Sequence, residues 1–199
     1  MVFQKFYNEP PVNKKEVLRY AGCRGTVPEN IDALADDCMK ECKNSLSYRI
    51  CYTECPVIFS DGTIDFGFAK VESADLLKNL DGCSSAVIFA ATIGLNMDRL
   101  ISKYSKVSPS RSLVFQALGA ERVEALCDLF NEEIKKEALK NGFLTCPRFS
   151  PGYGDLPLAF QRDIFKILDC ERKIGVTLGE NLLMSPSKSV TAIIGKKKK

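Results

Sequence analysis

Residues 85–92 read Ser-Ala-Val-Ile-Phe-Ala-Ala-Thr, eight small or apolar residues with no charge among them. A strand that water touches on one face alternates apolar and polar residues. An unbroken run of this length instead marks a strand covered on both faces. The chain therefore needs a sheet with this segment at its centre and helices to cover it. The rest of the sequence offers both. Two strand-like runs, Tyr48–Phe59 and Thr63–Lys70, are separated by Asp61-Gly62, a strong hairpin signal. Ser189–Ile194 is a further apolar strand. Asn13 with Glu16 has the form of a capping box for a short helix to about Tyr20, closed by Gly22. Thr26 caps a second helix with Pro28 in its first turn, and Ile31, Leu34, Ala35, Cys38 and Cys42 mark its buried stripe. Ser73 caps a short helix ending near Asp81-Gly82. Helices follow at about 95–105 and 110–140, the second with Gly119 as a candidate kink. Asp155 and Pro157 open another, with Ile164, Phe165 and Leu168 facing inward.

Hairpins mixed with irregularly placed helices, without regular βαβ alternation, point to an α+β fold. The expected architecture is a single domain over 1–195, a twisted, mainly antiparallel sheet flanked by helices. Lys196–Lys199 form a basic tail, expected to be frayed and solvated. The 199 residues suffice for a proper core.

The net charge of +3 comes from that tail: with its four lysines set aside, 24 basic residues face 25 acidic ones. A neutral body gives no electrostatic footprint for nucleic acid. No apolar run reaches the length of a membrane span, and Met-Val-Phe-Gln-Lys-Phe at the start lacks a signal peptide's apolar core, so the chain reads as cytoplasmic. It has no histidine, which removes the commonest general base and metal ligand. The chemistry expected is that of a bound cofactor, held in place by the protein.

Residues 148–157, Arg-Phe-Ser-Pro-Gly-Tyr-Gly-Asp-Leu-Pro, carry the strongest functional signal. Pro151-Gly152 suits the centre of a tight turn, with Arg148 before it and Tyr153 after it. One compact loop then presents a guanidinium fork, which takes a carboxylate, and an aromatic wall. Glu124 and Asp128 lie one helical turn apart and offer carboxylates to a ribose or a sulfonium, or form a solvated acidic face. Thr92-Ile93-Gly94 stands between strand and helix, as a phosphate contact or as a plain turn. Cys38, Cys42, Cys51 and Cys55 invite a thiolate-metal or redox reading, although their spacing of three suits zinc poorly and two of them fall on a strand. The nine cysteines are expected to be reduced, and no bound metal is expected.

Arg148, Gly152 and Tyr153, then Ile174, Gly175 and Leu178, then Met184, Pro186, Ser189 and Val190 stand in an order that resembles the activation (reactivation) domain of cobalamin-dependent methionine synthase. The resemblance spans about 145–195. One departure is that Gly154 stands where that family continues Gly-Tyr-Pro, so a looser loop is expected there. The resemblance implies S-adenosylmethionine as ligand, bound by Arg148, Ser150, Gly152 and Tyr153 with Glu124 and Asp128. It implies that the Arg148 fork holds the methionyl carboxylate. It implies a partner, a cobalamin-dependent methionine synthase lacking its own activation domain, with the cobalamin on that partner and a flavodoxin-like electron donor. The chain would then serve methionine biosynthesis as a component of a methyltransferase system, not as a stand-alone enzyme. Longer family members continue past the last strand with residues that touch the ligand, so part of the pocket is expected either to be missing or to be supplied by the partner. An accessory role for another corrinoid methyltransferase is the neighbouring alternative.

Overall fold

The computed structural model describes residues 1–199. The chain opens with strand β1 (Phe3–Tyr7), helices α1 (Lys14–Tyr20) and α2 (Glu29–Cys42), and strand β2 (Tyr48–Pro56). Short strands β3 (Ile58–Ser60), β4 (Thr63–Asp65) and β5 (Lys70–Glu72) follow, then α3 (Ala74–Asn79) and β6 (Cys83–Thr92). Next come α4 (Asn96–Tyr104), the long α5 (Pro109–Lys140) and β7 (Phe143–Thr145). The chain finishes with a 3-10 turn (Leu158–Phe160), α6 (Gln161–Leu168), α7 (Cys170–Ile174), the β8–β9 ribbon (Thr177–Leu178, Met184–Ser185) and β10 (Ser189–Lys198).

The main sheet runs β1-β2-β6-β10-β7, with every neighbouring pair antiparallel. The uncharged run forms β6, in the middle of this sheet as expected. Successive side chains point to opposite faces of a strand, and the two faces of β6 feed two cores. Val87, Phe89 and Ala91, with Ala192 and Ile194 of β10, pack under α1, α2, α4 and α5. Ile88 and Ala90, with Ile193, pack under α3, α6, α7 and the small β3-β4-β5 sheet. The result is an α+β domain with helices on both faces of an antiparallel sheet. No helix is long and apolar enough to cross a membrane.

Local signals decide several boundaries. Asp61 and Gly62 take φ values of 46° and 81°, the paired positive angles of a tight hairpin turn, and Ser60 pairs with Thr63 across it. The Ser73 side chain accepts from the Leu76 N–H at 3.0 Å and caps α3. Asn13 caps α1, but Glu16 does not close a box: it pairs with Arg19, and Glu121 of α5 accepts the Asn13 N–H at 3.0 Å.

Other expectations need correction. Thr26 does not cap α2; Pro28 occupies the cap position without a side-chain bond. The run 48–59 breaks at Pro56, which has no N–H to continue the ladder, and β3 joins a different sheet. The run 63–70 breaks where Asp65 accepts the Gly67 N–H at 2.7 Å and the Phe66 N–H bonds Ala69. Gly119 does not interrupt α5. A Cβ there would lie 2.8 Å from Met97 Cγ and 2.9 Å from Lys188 Cε, so the glycine permits close approach of α4 and the segment before β10. The lysine tail is not frayed either. Lys196–Lys198 pair with Phe143–Thr145, and Lys196 Nζ meets Glu54 Oε1 at 2.8 Å.

Candidate functional site

The 148–157 loop is tied to the domain at both ends. At its start, Phe149 exchanges two backbone hydrogen bonds with Ile193 of β10, at 2.9 and 2.8 Å. The Ser150 carbonyl then accepts the Tyr153 N–H at 3.1 Å, closing a turn with Pro151-Gly152 at its centre. Gly152 has φ +89°, the angle a type II turn demands of its third residue, and a Cβ there would meet Leu158 Cδ1 at 3.1 Å. At the far end the Asp155 carboxylate sits on the start of α3, accepting from Ser73 Oγ, from the Ala74 N–H at 2.7 Å and from the Asp75 N–H at 3.2 Å. The Ser73 hydrogen bond and these amides hold its pKa below the usual carboxylate value. The loop after Tyr153 is therefore anchored, not loose. Gly154 has φ +53°, and a Cβ there would fall 2.2 Å from Asp75 Oδ2.

The residues singled out in the sequence come together beside this loop. Arg148 donates from Nη1 to Asp128 Oδ1 at 2.7 Å and from Nη2 to Glu124 Oε2. Two of five guanidinium N–H groups are used, and three remain for a ligand. Burial works to lower the Arg148 pKa, but the Asp128 and Glu124 carboxylates outweigh it and raise the value. Burial pushes the Cys127 thiol up to about 12.

A pocket of about 400 Å³ opens here, lined by Glu124, Arg148, Ser150 and Tyr153 from the expected set, with Pro151 of the turn beside them. Asp128 and the backbone of Gly152 support this wall from outside it: Asp128 faces the adjoining acidic groove with Glu121 and Glu132. Tyr153 is 69% exposed at the mouth. Met184, Ser189 and Val190 line the pocket too. Sequence reasoning missed four further walls, Phe149, Leu158, Gln161 and Thr191. Gln161 is 4% exposed and its Oε1 has no hydrogen-bond partner. Nothing in the local sequence distinguishes it from a surface glutamine opening a helix.

The weaker candidates resolve differently. The Gly94 N–H bonds Thr92 Oγ1 at 3.1 Å, and Thr92 Oγ1 also accepts from Ser189 at 2.9 Å, so this segment is a packed turn. The sheet separates the two cysteine pairs: Cys38 and Cys42 lie in the core under α5, Cys51 and Cys55 in the core under α6. They cannot share an ion. Burial pushes Cys38 up to about 11, and Cys42 and Cys55 up to about 12, as expected of packed thiols.

A family model for the vitamin B12-dependent methionine synthase activation domain matches residues 70–199. Thirteen chains of solved structures match the fold. One is a crystal structure of the MetH reactivation domain bound to AdoHcy, with a TM-score of 0.72 and 16% sequence identity, covering 98% of this chain and 78% of that one. No curated protein matches the chain.

Proposed function

This chain belongs to the family of the activation domain of vitamin B12-dependent methionine synthase, and from that premise we propose that it binds S-adenosylmethionine and supports reductive methylation of oxidised cobalamin on a partner methionine synthase. The observation that carries the reading is the convergence of Arg148, Ser150, Pro151 and Tyr153 on one pocket of about 400 Å³. The residues suit the ligand. The three free N–H groups of Arg148 suit a carboxylate, while Glu124 on the same wall complements a cation. Gly152 keeps a side chain out of the space beside Leu158. Pro151, Leu158 and Met184 supply apolar wall.

When bound, the sulfonium supplies an activated methyl group. The protein's own work is to bind, orient and exclude water. Holding a methyl donor against a cobalt on another protein turns a rare encounter into a positioned one, and proximity alone contributes several kcal/mol, on the order of 7 or more in well-oriented cases. With no histidine in the chain, this role needs no protein base. The cobalamin belongs to the partner, an enzyme lacking its own activation domain, and the electron to a flavodoxin-like donor. The domain is a component of that methyltransferase system.

The test is recovery of methionine synthesis after deliberate oxidation of the partner's cobalamin, with S-adenosylmethionine and a low-potential reductant, with and without this chain. Recovery is expected only with it. Equal recovery in both arms would rule the role out and turn attention to another corrinoid methyltransferase as partner.

A further inference from the structure

Arg148 lies between two held residues. After it, Phe149 is bonded to Ile193 of β10. Before it, the Pro147 carbonyl accepts from Asn79 Nδ2 at 3.1 Å. A carbonyl takes only a donor, so the amide nitrogen of Asn79 is the atom that holds it. Asn79 does not line the ligand pocket. It lines a separate hollow of about 470 Å³, with Asp75, Pro147 and Phe149 among the other walls.

Asn79 is the last residue of α3, and the first turn of the same helix holds the other end of the loop. There the Asp155 carboxylate accepts from Ser73 Oγ and from the Ala74 and Asp75 N–H groups. Residues 147 and 155 are thus fixed to the two ends of one short helix. The dimensions force a shape on the chain between them. From Ser73 to Asn79 the axis runs about 9 Å, at 1.5 Å per residue. The eight steps from Pro147 to Asp155 could span about 28 Å if extended. The surplus must fold back on itself, and it does so at the Pro151-Gly152 turn, closed by the Tyr153 N–H on the Ser150 carbonyl. Gly154 lies so close to Asp75 of α3 that a Cβ has no room. The loop is therefore shaped before a ligand arrives, and a shaped loop spares binding the cost of ordering it.

Resting on the S-adenosylmethionine reading above, we propose that α3 is the template of the Arg148 loop and that Asn79 is a positioning residue for the carboxylate clamp. It acts through Arg148, by fixing the carbonyl that immediately precedes it. Its influence falls on the amino-acid end of the ligand and not on the nucleoside.

The experiment is calorimetric titration of the full chain with two compounds that share the nucleoside and the thioether sulfur. S-adenosylhomocysteine carries the carboxylate, and methylthioadenosine lacks it. Wild-type protein is expected to prefer S-adenosylhomocysteine. Asn79→Leu, similar in size but without a donor, should weaken S-adenosylhomocysteine about three- to tenfold, the worth of one hydrogen bond, and leave methylthioadenosine unchanged. In an Arg148→Ala background the same substitution should cost no further affinity, because the two residues act as a unit. A role in fold stability alone would weaken both compounds alike, or neither. A thermal melt checks that each variant is folded, and Asn79→Ala gives the same reading should Asn79→Leu fail to fold. If the substitution leaves S-adenosylhomocysteine affinity unchanged, weakens both compounds equally, or adds its loss to that of Arg148→Ala, the template assignment is overturned while the proposed function stands. Equal affinity of the wild type for the two compounds would remove the clamp and the template with it. If neither compound binds the wild type at all, the S-adenosylmethionine reading falls as well.

Discussion

Replacing Arg148 by alanine tests the clamp directly. The fork spends two donors on Glu124 and Asp128 and has three left. A hydrogen bond to a charged group contributes about 1.5–3 kcal/mol, so loss of the fork should weaken S-adenosylmethionine binding about 10- to 150-fold. The lower part of that range is expected, because the Arg148 side chain is 25% exposed and already shares its charge with two carboxylates. Arg148→Lys should recover only part of the affinity, since an ammonium is a point charge without the planar fork. The fold should survive. Without Arg148, Glu124 and Asp128 face one another across one turn of α5, a like-charge pair worth a few tenths of a kcal/mol. Adding the lost surface pairs brings the cost to about 0.5–1 kcal/mol, or about 1–4 °C in Tm for a chain of this size. Calorimetric titration measures the first effect and a thermal melt the second. Wild-type affinity in Arg148→Ala would refute the clamp. A collapse in Tm far beyond a few degrees would show that Arg148 is chiefly structural.

Gly152→Val should distort the loop, because φ +89° is strained for a β-branched residue and Leu158 blocks the space; the expected cost is about 1–3 kcal/mol, read as lowered Tm together with lost ligand affinity. Asp155 should make the loop sensitive to acid. Its folded pKa is depressed, so its contribution is present above the ordinary carboxylate value of about 4 and is lost as pH falls through the folded value below it. Asp155→Asn should remove that part of the stability–pH curve, and an unchanged acid limb would show that the carboxylate on α3 does not matter.

The sequence disclosed what depends on neighbours three or four residues away. The Asp61-Gly62 hairpin, the Ser73 and Asn13 caps and the Pro151-Gly152 turn each follow from φ preferences or a side chain reaching its own backbone. The central strand was legible because coverage on both faces leaves its mark on every residue. The partnership of Arg148 with Glu124 and Asp128 was half legible: the residues stood out, but not that they would meet. Contacts between distant segments left no trace. Asp155 looked like the cap of the following helix and instead holds α3, some 80 residues back. Gly119 looked like a kink and instead admits Met97 and Lys188. The terminal lysines read as solvated because charge predicts exposure, yet β7 offers them a partner strand. Gln161 gave no signal, since an amide is unremarkable until its surroundings are known.

The reciprocal bonds between Phe149 and Ile193 have a consequence for how the site comes into being. Arg148, Ser150 and Tyr153 precede β10 in the chain, but the backbone that positions them is hung on that strand. Synthesis runs from the N-terminus, so a nascent chain carrying all of the Arg148 loop still lacks the strand that aligns it. Binding competence then arrives in one step, when β10 slots between β6 and β7 and completes the sheet. A proteolytic cut just before Ser189 would silence the loop without touching it. Ligand, conversely, should protect that distant strand from exchange and cleavage, because a molecule gripping the loop also grips the strand from which it hangs.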